Sequence, residues 1–413
     1  MNRYVFGVLI LCIHCFCSEV SAQETTGSQD SLSLTRQQQK AYFKSQRDVI
    51  DVAMILIHKN PDKRLENFGS VSTRLKVSVG PILEYTLATL FTGGLTADGA
   101  FVTSSKDQTN TSSILVAVKF TQKHQFLLPI QPSIWLPGNK YFLLGDWRYL
   151  YYPQDTYGFG GLTTDADLYT VSYKYVRFYE FVLRKVSGNF YAGLGYQLDH
   201  HWEINQMGVP AGTVTDYTKY GFSNTSTSSG VAVDLLYDSR KNSINPEGGS
   251  FYTNLEFLQD VTFLGSNTNW NSFLLDIRKY IKLPHNDVLA LWSYTVITLN
   301  GNPPYLDLPG TGQDTYNNTG RGYEQGRFIG KKMVDLEAEF RFGITANGLV
   351  GGVVFANAES LSELNNKLEV ISPGFGIGLR IKFNKFSNTN ACIDYGVGKN
   401  GSHGFFGNLG EVF

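Results

Sequence analysis

Charged and apolar residues alternate strictly along one stretch near the C-terminal end of the chain. From Val334 to Phe342 every second residue is apolar, and the residues between them are Asp335, Glu337, Glu339 and Arg341. A period of two is that of a β-strand, whose successive side chains point to opposite faces. Consecutive charged side chains on one face cannot pack into an apolar core. The stretch therefore predicts a strand with one apolar face and one face in contact with water.

The same alternation recurs along the chain. "FGIGLRIKF" (375–383) repeats it, and weaker copies occur in "ILVAVKF", "VAVDLLYDSR", "FYTNLEF", "FLLDIRKYI" and "ACIDYGV". Two classes of fold fit this pattern. In a soluble β-sandwich or propeller the apolar face points inward, whereas in a membrane β-barrel it points outward to lipid and the charges line a wet lumen.

The N-terminal residues favour the barrel because they predict export. Arg3, a short apolar run and Val20-Ser21-Ala22 form a signal peptide over 1–22, cleaved after Ala22. Residues 23–34 are polar and are expected to be disordered. Three of the four cysteines lie in the signal peptide, which leaves Cys392 alone and excludes an intrachain disulfide.

Composition fits the same class. The chain has 24 Tyr, 28 Phe and 42 Gly but no second apolar run of transmembrane-helix length. Lys+Arg 35 nearly balance Asp+Glu 36, which gives no reason to expect nucleic acid as a partner. Fifteen clear strands, and a sixteenth before Phe101, follow a predicted N-terminal amphipathic helix over 35–61. We therefore predict an all-β fold: a closed antiparallel transmembrane barrel of sixteen strands over 75–413, in the bacterial outer membrane and in contact with its lipids.

Several motifs carry a resemblance to a known family. They are "YDSRKNSINPEGGSFY", the loop "RGYEQGRF", "LEAEFRF" directly after that loop, and the ending "DYGVGKNGSHGFFGNLGEVF". In order and spacing they resemble the BamA/TamA superfamily of outer-membrane barrels, also called bacterial surface antigens. The resemblance covers the chain from about Gly80 to Phe413. It implies sixteen strands, a weak seam between the first and last strands, and a sixth extracellular loop that folds back into the lumen.

The resemblance also assigns the loop tip. Arg321, Gly322 and Tyr323 match the family's Arg-Gly-Phe/Tyr tip, and Glu339 matches its acidic position on the strand after the loop. Independently, an arginine that enters a confined lumen needs carboxylate partners. The family's second partner lies in a Phe-x-Asp-x-Gly stretch, but here "FANAE" places Asn357 at the Asp position. We expect Asn357 to accept a hydrogen bond from Arg321 through its amide oxygen and to form a weaker lock.

The leader departs from the family more strongly. Family members that insert or translocate proteins carry periplasmic POTRA modules, and the leader has no strand signals, so the chain resembles a barrel-only relative. Two functions stay open. The first is assembly or translocation of proteins at the outer membrane, by opening of the seam. The second is a structural or solute-transport barrel whose seam stays shut. Expected partners are the barrel-assembly machinery during insertion and other outer-membrane or periplasmic proteins.

Three further groups of residues are candidate sites. Asp238 and Arg240 are expected to pair locally at a periplasmic turn that Pro246 and Gly248 shape. In "DHH", Asp199 and His201 share a strand face that His200 does not, and a hydrated rim is expected there rather than an enzyme or metal site. No catalytic triad, phosphate loop or Cys/His cluster is found, so we expect neither an enzyme nor a cofactor.

The C-terminal residues form the third group. Phe405, Leu409 and Phe413 would lie on one face of the closing strand. A terminal aromatic at the membrane interface acts as an anchor and as the signal that assembly machinery recognises. Phe413→Asp is therefore expected to slow insertion, as pulse-labelling would measure, more than it destabilises barrels already assembled.

Overall fold

The computed structural model describes residues 36–66, 75–104, 109–209 and 211–413. The predicted signal peptide, 1–22, and the segment predicted to be disordered, 23–34, lie outside these residues. Within them, no helix is both long and apolar enough to cross a membrane.

The chain folds into one antiparallel sheet in which nearly every strand pairs with the next along the sequence. The strands are β1 (Lys76–Thr86), β2 (Leu90–Phe101), β3 (Ser112–Thr121), β4 (Phe126–Trp135), β5 (Tyr141–Tyr151), β6 (Gln154–Thr156), β7 (Tyr169–Ser187), β8 (Phe190–Met207), β9 (Thr225–Asp238), β10 (Phe251–Asp260), β11 (Trp270–Lys282), β12 (Val288–Asn300), β13 (Lys332–Gly343), β14 (Val350–Leu361), β15 (Ser372–Asn384), β16 (Thr389–Gly398) and β17 (His403–Leu409). The three-residue β6 pairs with β7 and continues the path of β5. The wall therefore has the predicted sixteen strands, and the barrel fold is confirmed.

Exposure of the side chains distinguishes the two faces of the wall. On β13 the apolar Leu336 is 52% exposed, whereas Asp335 and Glu339 are fully buried. On β15, Phe375 and Ile377 are more than half exposed, whereas Arg380 is buried. The apolar face thus points outward and the charged face lines the lumen, which is the reverse of a soluble sandwich.

The two ends of the barrel differ. The loop end carries the longest connections, 208–224 and 301–331. The helix end carries the turns that follow β4, β11, β13 and β15 together with two leader helices, α1 (Arg36–Ser45) and α2 (Val49–Leu56). A third helix, α3 (Asp216–Gly221), lies in a loop. The described single-turn 3-10 helices are Pro61–Leu65, Pro137–Asn139, Asp165–Asp167, Thr262–Leu264, Pro284–Asn286, Tyr305–Asp307 and Lys399–Gly401.

The leader forms two short helices rather than the single helix predicted over 35–61. The break falls at residues 46–48, where Asp48 caps α2 by accepting a hydrogen bond from the Asp51 backbone N–H. The other carboxylate oxygen of Asp48 accepts a 2.9 Å hydrogen bond from the backbone N–H of Lys385, in the turn after β15. Docking onto the barrel thus determines where the second helix begins.

Candidate functional site

The connection between β12 and β13, residues 301–331, turns into the barrel instead of extending away from it; we call it the lumen loop. Its tip residues Arg321 and Tyr323 are each only 2% exposed. The tip faces the inner wall of strands β13 to β16. The arginine, glycine and tyrosine predicted to form a loop tip are therefore inside the barrel.

Arg321 is held by carboxylates from two parts of the wall. Its Nη2 donates to Glu339 Oε2 at 2.6 Å and also to Glu337, while its Nη1 donates to Asp394 Oδ2 at 2.6 Å. Glu337 and Glu339 lie on β13, and Asp394 lies on β16. The guanidinium also lies 3.7 Å from the centre of the Phe355 ring. One buried arginine thus links strands that are not adjacent in the sheet.

The role of Asn357 differs from the prediction. Its amide nitrogen donates a 2.7 Å hydrogen bond to the backbone carbonyl of Arg321, whereas its amide oxygen has no hydrogen-bond partner among the described residues. The expectation that the amide oxygen would accept from the guanidinium is therefore wrong. Because three carboxylates already surround the guanidinium, Asn357 instead fixes the loop backbone.

Glycines on the wall make room for the tip. A Cβ atom on Gly396 of β16 would lie 2.8 Å from the backbone nitrogen of Gly322, and a Cβ on Gly374 of β15 would lie 2.7 Å from the Arg321 carbonyl oxygen. Gly322 itself has a φ of 111°, which a residue with a side chain rarely adopts. The loop backbone therefore contacts the strand backbones directly.

Tyr323 fastens the other side of the tip. Its hydroxyl donates to the Pro373 carbonyl and accepts a 2.9 Å hydrogen bond from the backbone N–H of Lys399. Its ring packs edge-on against Phe328 at 5.2 Å. The tip is thus bound to the start of β15 and to the β16–β17 connection as well as to the carboxylates.

Two more arginines extend the charged network toward the C-terminus. Arg341 Nε donates to Glu339 Oε1 at 2.6 Å, and Arg380 donates to Asp394 and, at 2.7 Å, to Glu411 Oε2. All five side chains are buried or nearly so. Burial of such charges is tolerable only because each has partners of opposite sign.

The outer part of the lumen loop closes the loop end of the barrel. Tyr305 stacks on Tyr217 of α3 at 4.2 Å, and Ile329 forms a backbone bridge with Phe159. All four residues belong to one buried apolar cluster. Arg327 donates to Thr163 and does not join the carboxylate network. Three loops therefore form a packed cover over the lumen.

A lysine in the β3–β4 turn ties the early strands to this cover. Lys123 Nζ lies 2.8 Å from Asp155 and 2.6 Å from Glu324 of the lumen loop. Burial opposes the charge on Lys123, but hydrogen bonds to the two carboxylates outweigh it and raise the pKa of the ammonium group. The lysine therefore stays charged and links three loops.

The first and last strands meet without a ladder. Among the described residues β1 pairs only with β2 and β17 only with β16. The two strands approach each other near the loop end, where a Cβ on Gly404 would lie 2.4 Å from Leu87 Cδ2. Asn318 of the lumen loop holds β17 from inside, because its Oδ1 accepts from Asn408 at 2.9 Å and its amide donates to the Val412 carbonyl at 2.6 Å.

Comparisons with known proteins bear on this arrangement. No family profile matches the sequence, and no curated protein matches it. Among solved structures the chain is similar to BamA from Haemophilus ducreyi lacking POTRA domains 1-3, with a TM-score of 0.53 and 14% identity over 81% of this chain and 69% of that one. The barrel has a BamA-type fold. It is also similar to CdiB from Acinetobacter baumannii, with a TM-score of 0.51 and 12% identity over 83% of this chain and 60% of that one.

In this BamA-type barrel Asp238 and Arg240 pair locally where β9 leads into the β9–β10 turn. Arg240 donates to both carboxylate oxygens of Asp238, at 3.0 and 2.9 Å. Pro246 is buried, and a Cβ on Gly248 would lie 2.4 Å from Lys282 Cα. Close approach of this turn to the end of β11 therefore excludes a side chain at Gly248.

The hydrated rim predicted at the "DHH" stretch is wrong. Asp199 and His201 do share the inner face, but they are only 6% and 2% exposed. Asp199 accepts hydrogen bonds from the Tyr175 and Tyr179 hydroxyls, and His201 stacks on Tyr175 at 4.2 Å. The ladder of β7 and β8 continues beyond these residues, so they lie within the barrel beneath the loop-end cover. In the described part of the chain, no group of His, Cys, Asp and Glu is arranged to bind a metal.

The three C-terminal residues do not share a face, contrary to the prediction. Phe405 and Leu409 are 53% and 67% exposed on the outer face of β17, but Phe413 is 2% exposed. The strand ends at Leu409, and Gly410 adopts a φ of 93° that redirects the following residues. Phe413 then stacks on Trp292 at 5.1 Å, and its carbonyl accepts from Arg341 at 2.9 Å.

We therefore expect Phe413→Ala to lower stability directly, by about 3 kcal/mol, because it removes a buried ring. Leu409→Ala is the matched control on the outer face and should change stability much less. The measurement is the temperature at which the folded form converts to the slower-migrating unfolded form on a gel. Equal melting of the two variants would place Phe413 outside the lumen.

Proposed function

We propose that this protein is an integral outer-membrane barrel that assists assembly or translocation of proteins by opening the seam between β1 and β17. The observation that carries the proposal is the missing ladder between these strands among the described residues. An unpaired strand edge presents free N–H and C=O groups to which another strand can add. The apolar outer face supports membrane placement, and the resemblance to the BamA/TamA superfamily supports the activity.

The lumen loop fits this function as the element that keeps the seam in place while no client is bound. It contacts β13 and β16 through the Arg321 network and β17 through Asn408, so one loop holds both the inner wall and the last strand. The barrel can open on that side only if the contacts of Asn318 are released or if they move together with β17.

The alternative is a structural or solute-transport barrel with a permanently closed seam. The packed cover of Phe159, Tyr217, Tyr305 and Ile329 at the loop end is unfavourable for an open solute path.

Depletion of the protein followed by profiling of the outer membrane tests the proposal. We expect a defined set of other outer-membrane proteins to decrease, and periplasmic or lipoprotein subunits to co-purify with the barrel. An unchanged outer-membrane profile and a solitary barrel would support the structural alternative and contradict the proposal.

A further inference from the structure

The leader helix α2 is fixed rigidly to the helix end of the barrel. Asp48 and Asp51 are fully buried, and Arg64 Nη1 contacts their carboxylates at 2.6 and 2.7 Å. Lys385 Nζ, in the turn after β15, contacts Asp51 Oδ2 at 2.7 Å. These ion pairs determine the rotation of α2 about its axis, because both acidic residues must face the barrel.

A second face of α2, next to Asp51, is apolar and exposed. Val52, Ile55 and Leu56 are 36%, 50% and 72% exposed, and Ile57 directly after the helix is 38% exposed. The spacing of 52, 55 and 56 places the first three side chains on one stripe of the helix. Since the ion pairs of Asp48 and Asp51 fix the rotation of the helix, this stripe cannot rotate into the protein interior.

Basic residues border the apolar stripe, two of them lysines. His58, Lys59 and Lys63 follow it and are exposed, and Lys59 and Lys63 form no ion pair with a described residue. The exposed acids nearby are Glu66 and the partly exposed Asp62, which pairs with Lys44 at 3.4 Å. A helix with an apolar face and bordering lysines suits an anionic membrane surface, where the apolar side chains enter the headgroup region.

The position of α2 along the barrel axis is consistent with a membrane surface as its partner. The backbone N–H of Arg47, just before α2, donates to the Asn347 carbonyl at 2.9 Å, in the turn between β13 and β14. Ile344, at the start of the same turn, is 58% exposed. The helix thus lies where the strands reverse, at the height where a spanned membrane gives way to water.

We propose that the α2 face formed by Val52, Ile55 and Leu56, with Lys59 and Lys63, is a membrane-docking surface for anionic phospholipid in the leaflet at the helix end. The inference rests on the proposed membrane placement of the barrel. The leader then anchors the helix end to the same membrane that the strands cross, next to the turn that follows β15.

Photo-crosslinking in intact cells tests the occupant directly. The photoreactive residue p-benzoyl-phenylalanine replaces Leu56, and matched control variants carry it at Ala41, exposed on α1, or at Ile344, exposed at the start of the turn after β13. We expect phospholipid adducts at 56 and 344 but not at 41, with the heat-resistant folded form retained in each variant. The same replacement at Ile55 gives a second position should the first variant fail to assemble.

The possible outcomes distinguish the proposed docking surface on α2 from the proposed membrane placement of the barrel. Lipid adducts at 344 without adducts at 56 or 55, or adducts at 56 to a protein, would overturn the docking surface and leave the membrane barrel intact. Absence of lipid adducts at 344 would instead contradict membrane placement. In vesicles of phosphatidylglycerol and phosphatidylcholine, Lys59→Gln and Lys63→Gln should each lower the adduct yield at 56 roughly fivefold. An equal yield in vesicles of phosphatidylcholine alone would contradict the role of anionic lipid.

Discussion

Arg321→Ala should convert the folded barrel to the unfolded form at a clearly lower temperature than in the wild type. The substitution leaves Glu337, Glu339 and Asp394 buried around an absent cation. Removal of one partner from a buried ion pair costs about 3–5 kcal/mol, and here Glu337 stays desolvated without a cation, whereas Glu339 and Asp394 keep Arg341 and Arg380. The lumen loop should also become accessible to protease in intact cells, since its tip loses its main contact.

Two variants serve as controls for this prediction. Arg184→Ala removes an exposed arginine from the outer face of β7 and should leave melting nearly unchanged. Arg321→Lys keeps the charge but cannot reproduce the forked contacts to β13 and β16, so an intermediate loss is expected. If Arg321→Ala melted at the wild-type temperature and its loop stayed intact under protease, burial of the carboxylates would not depend on Arg321.

Gly396→Val should displace the loop tip without touching any charge. A Cβ on Gly396 would lie 2.8 and 2.9 Å from the backbone N and Cα of Gly322, and a backbone neighbour cannot move aside as a flexible side chain can. Overpacking of this kind costs about 1–3 kcal/mol even where the structure adjusts. We expect earlier melting and protease cleavage within 301–331, measured on the same gels as for Arg321→Ala.

The matched control is Gly343→Ala, because no atom lies within 4 Å of a Cβ built on Gly343. That variant should melt like the wild type. If the lumen loop resisted protease in Gly396→Val but was cleaved in Gly343→Ala, direct contact between the loop backbone and β16 would be contradicted. Combining Gly396→Val with Arg321→Ala should add little further destabilisation, since either change alone releases the same tip.

Local patterns were sufficient to predict the wall and part of the site. Alternation within β13 determines which residues face the lumen, because side-chain direction in a strand depends only on position parity. Glu339 follows the loop closely in sequence, so its pairing with Arg321 could be expected from the loop motif. The structure places these two groups 2.6 Å apart.

Contacts that depend on barrel curvature could not be predicted in the same way. Asp394 lies 73 residues from Arg321 and three strands away from β13, and the curvature of the wall together with the inward course of the lumen loop brings it to the guanidinium. The alternation in "ACIDYGV" places Asp394 on the inner face of its strand. No local sequence pattern, however, indicates that this residue contacts the loop. The break between α1 and α2 likewise depends on Lys385, 337 residues from Asp48.

The C-terminal prediction failed for a backbone reason. Strand parity would keep Phe413 on the face of Phe405 and Leu409 only if the strand continued to the last residue. Gly410 instead takes a positive φ, and the Glu411 N–H donates to the Ile244 carbonyl at 2.7 Å. Glycine permits this turn, but its presence alone does not require it.

A disulfide across the seam tests the central claim most directly. A Cβ on Gly404 would lie 2.7 Å from Leu87 Cγ, so Leu87→Cys with Gly404→Cys places two thiols close enough to bond and join β1 to β17 near the loop end. Each variant that carries only one of the two substitutions is a control. We expect the oxidised double variant to melt no earlier than the wild type, to lose its ability to promote insertion of a client barrel into vesicles, and to regain it on reduction. Insertion by the oxidised protein at the wild-type rate would contradict a function that requires the seam to open.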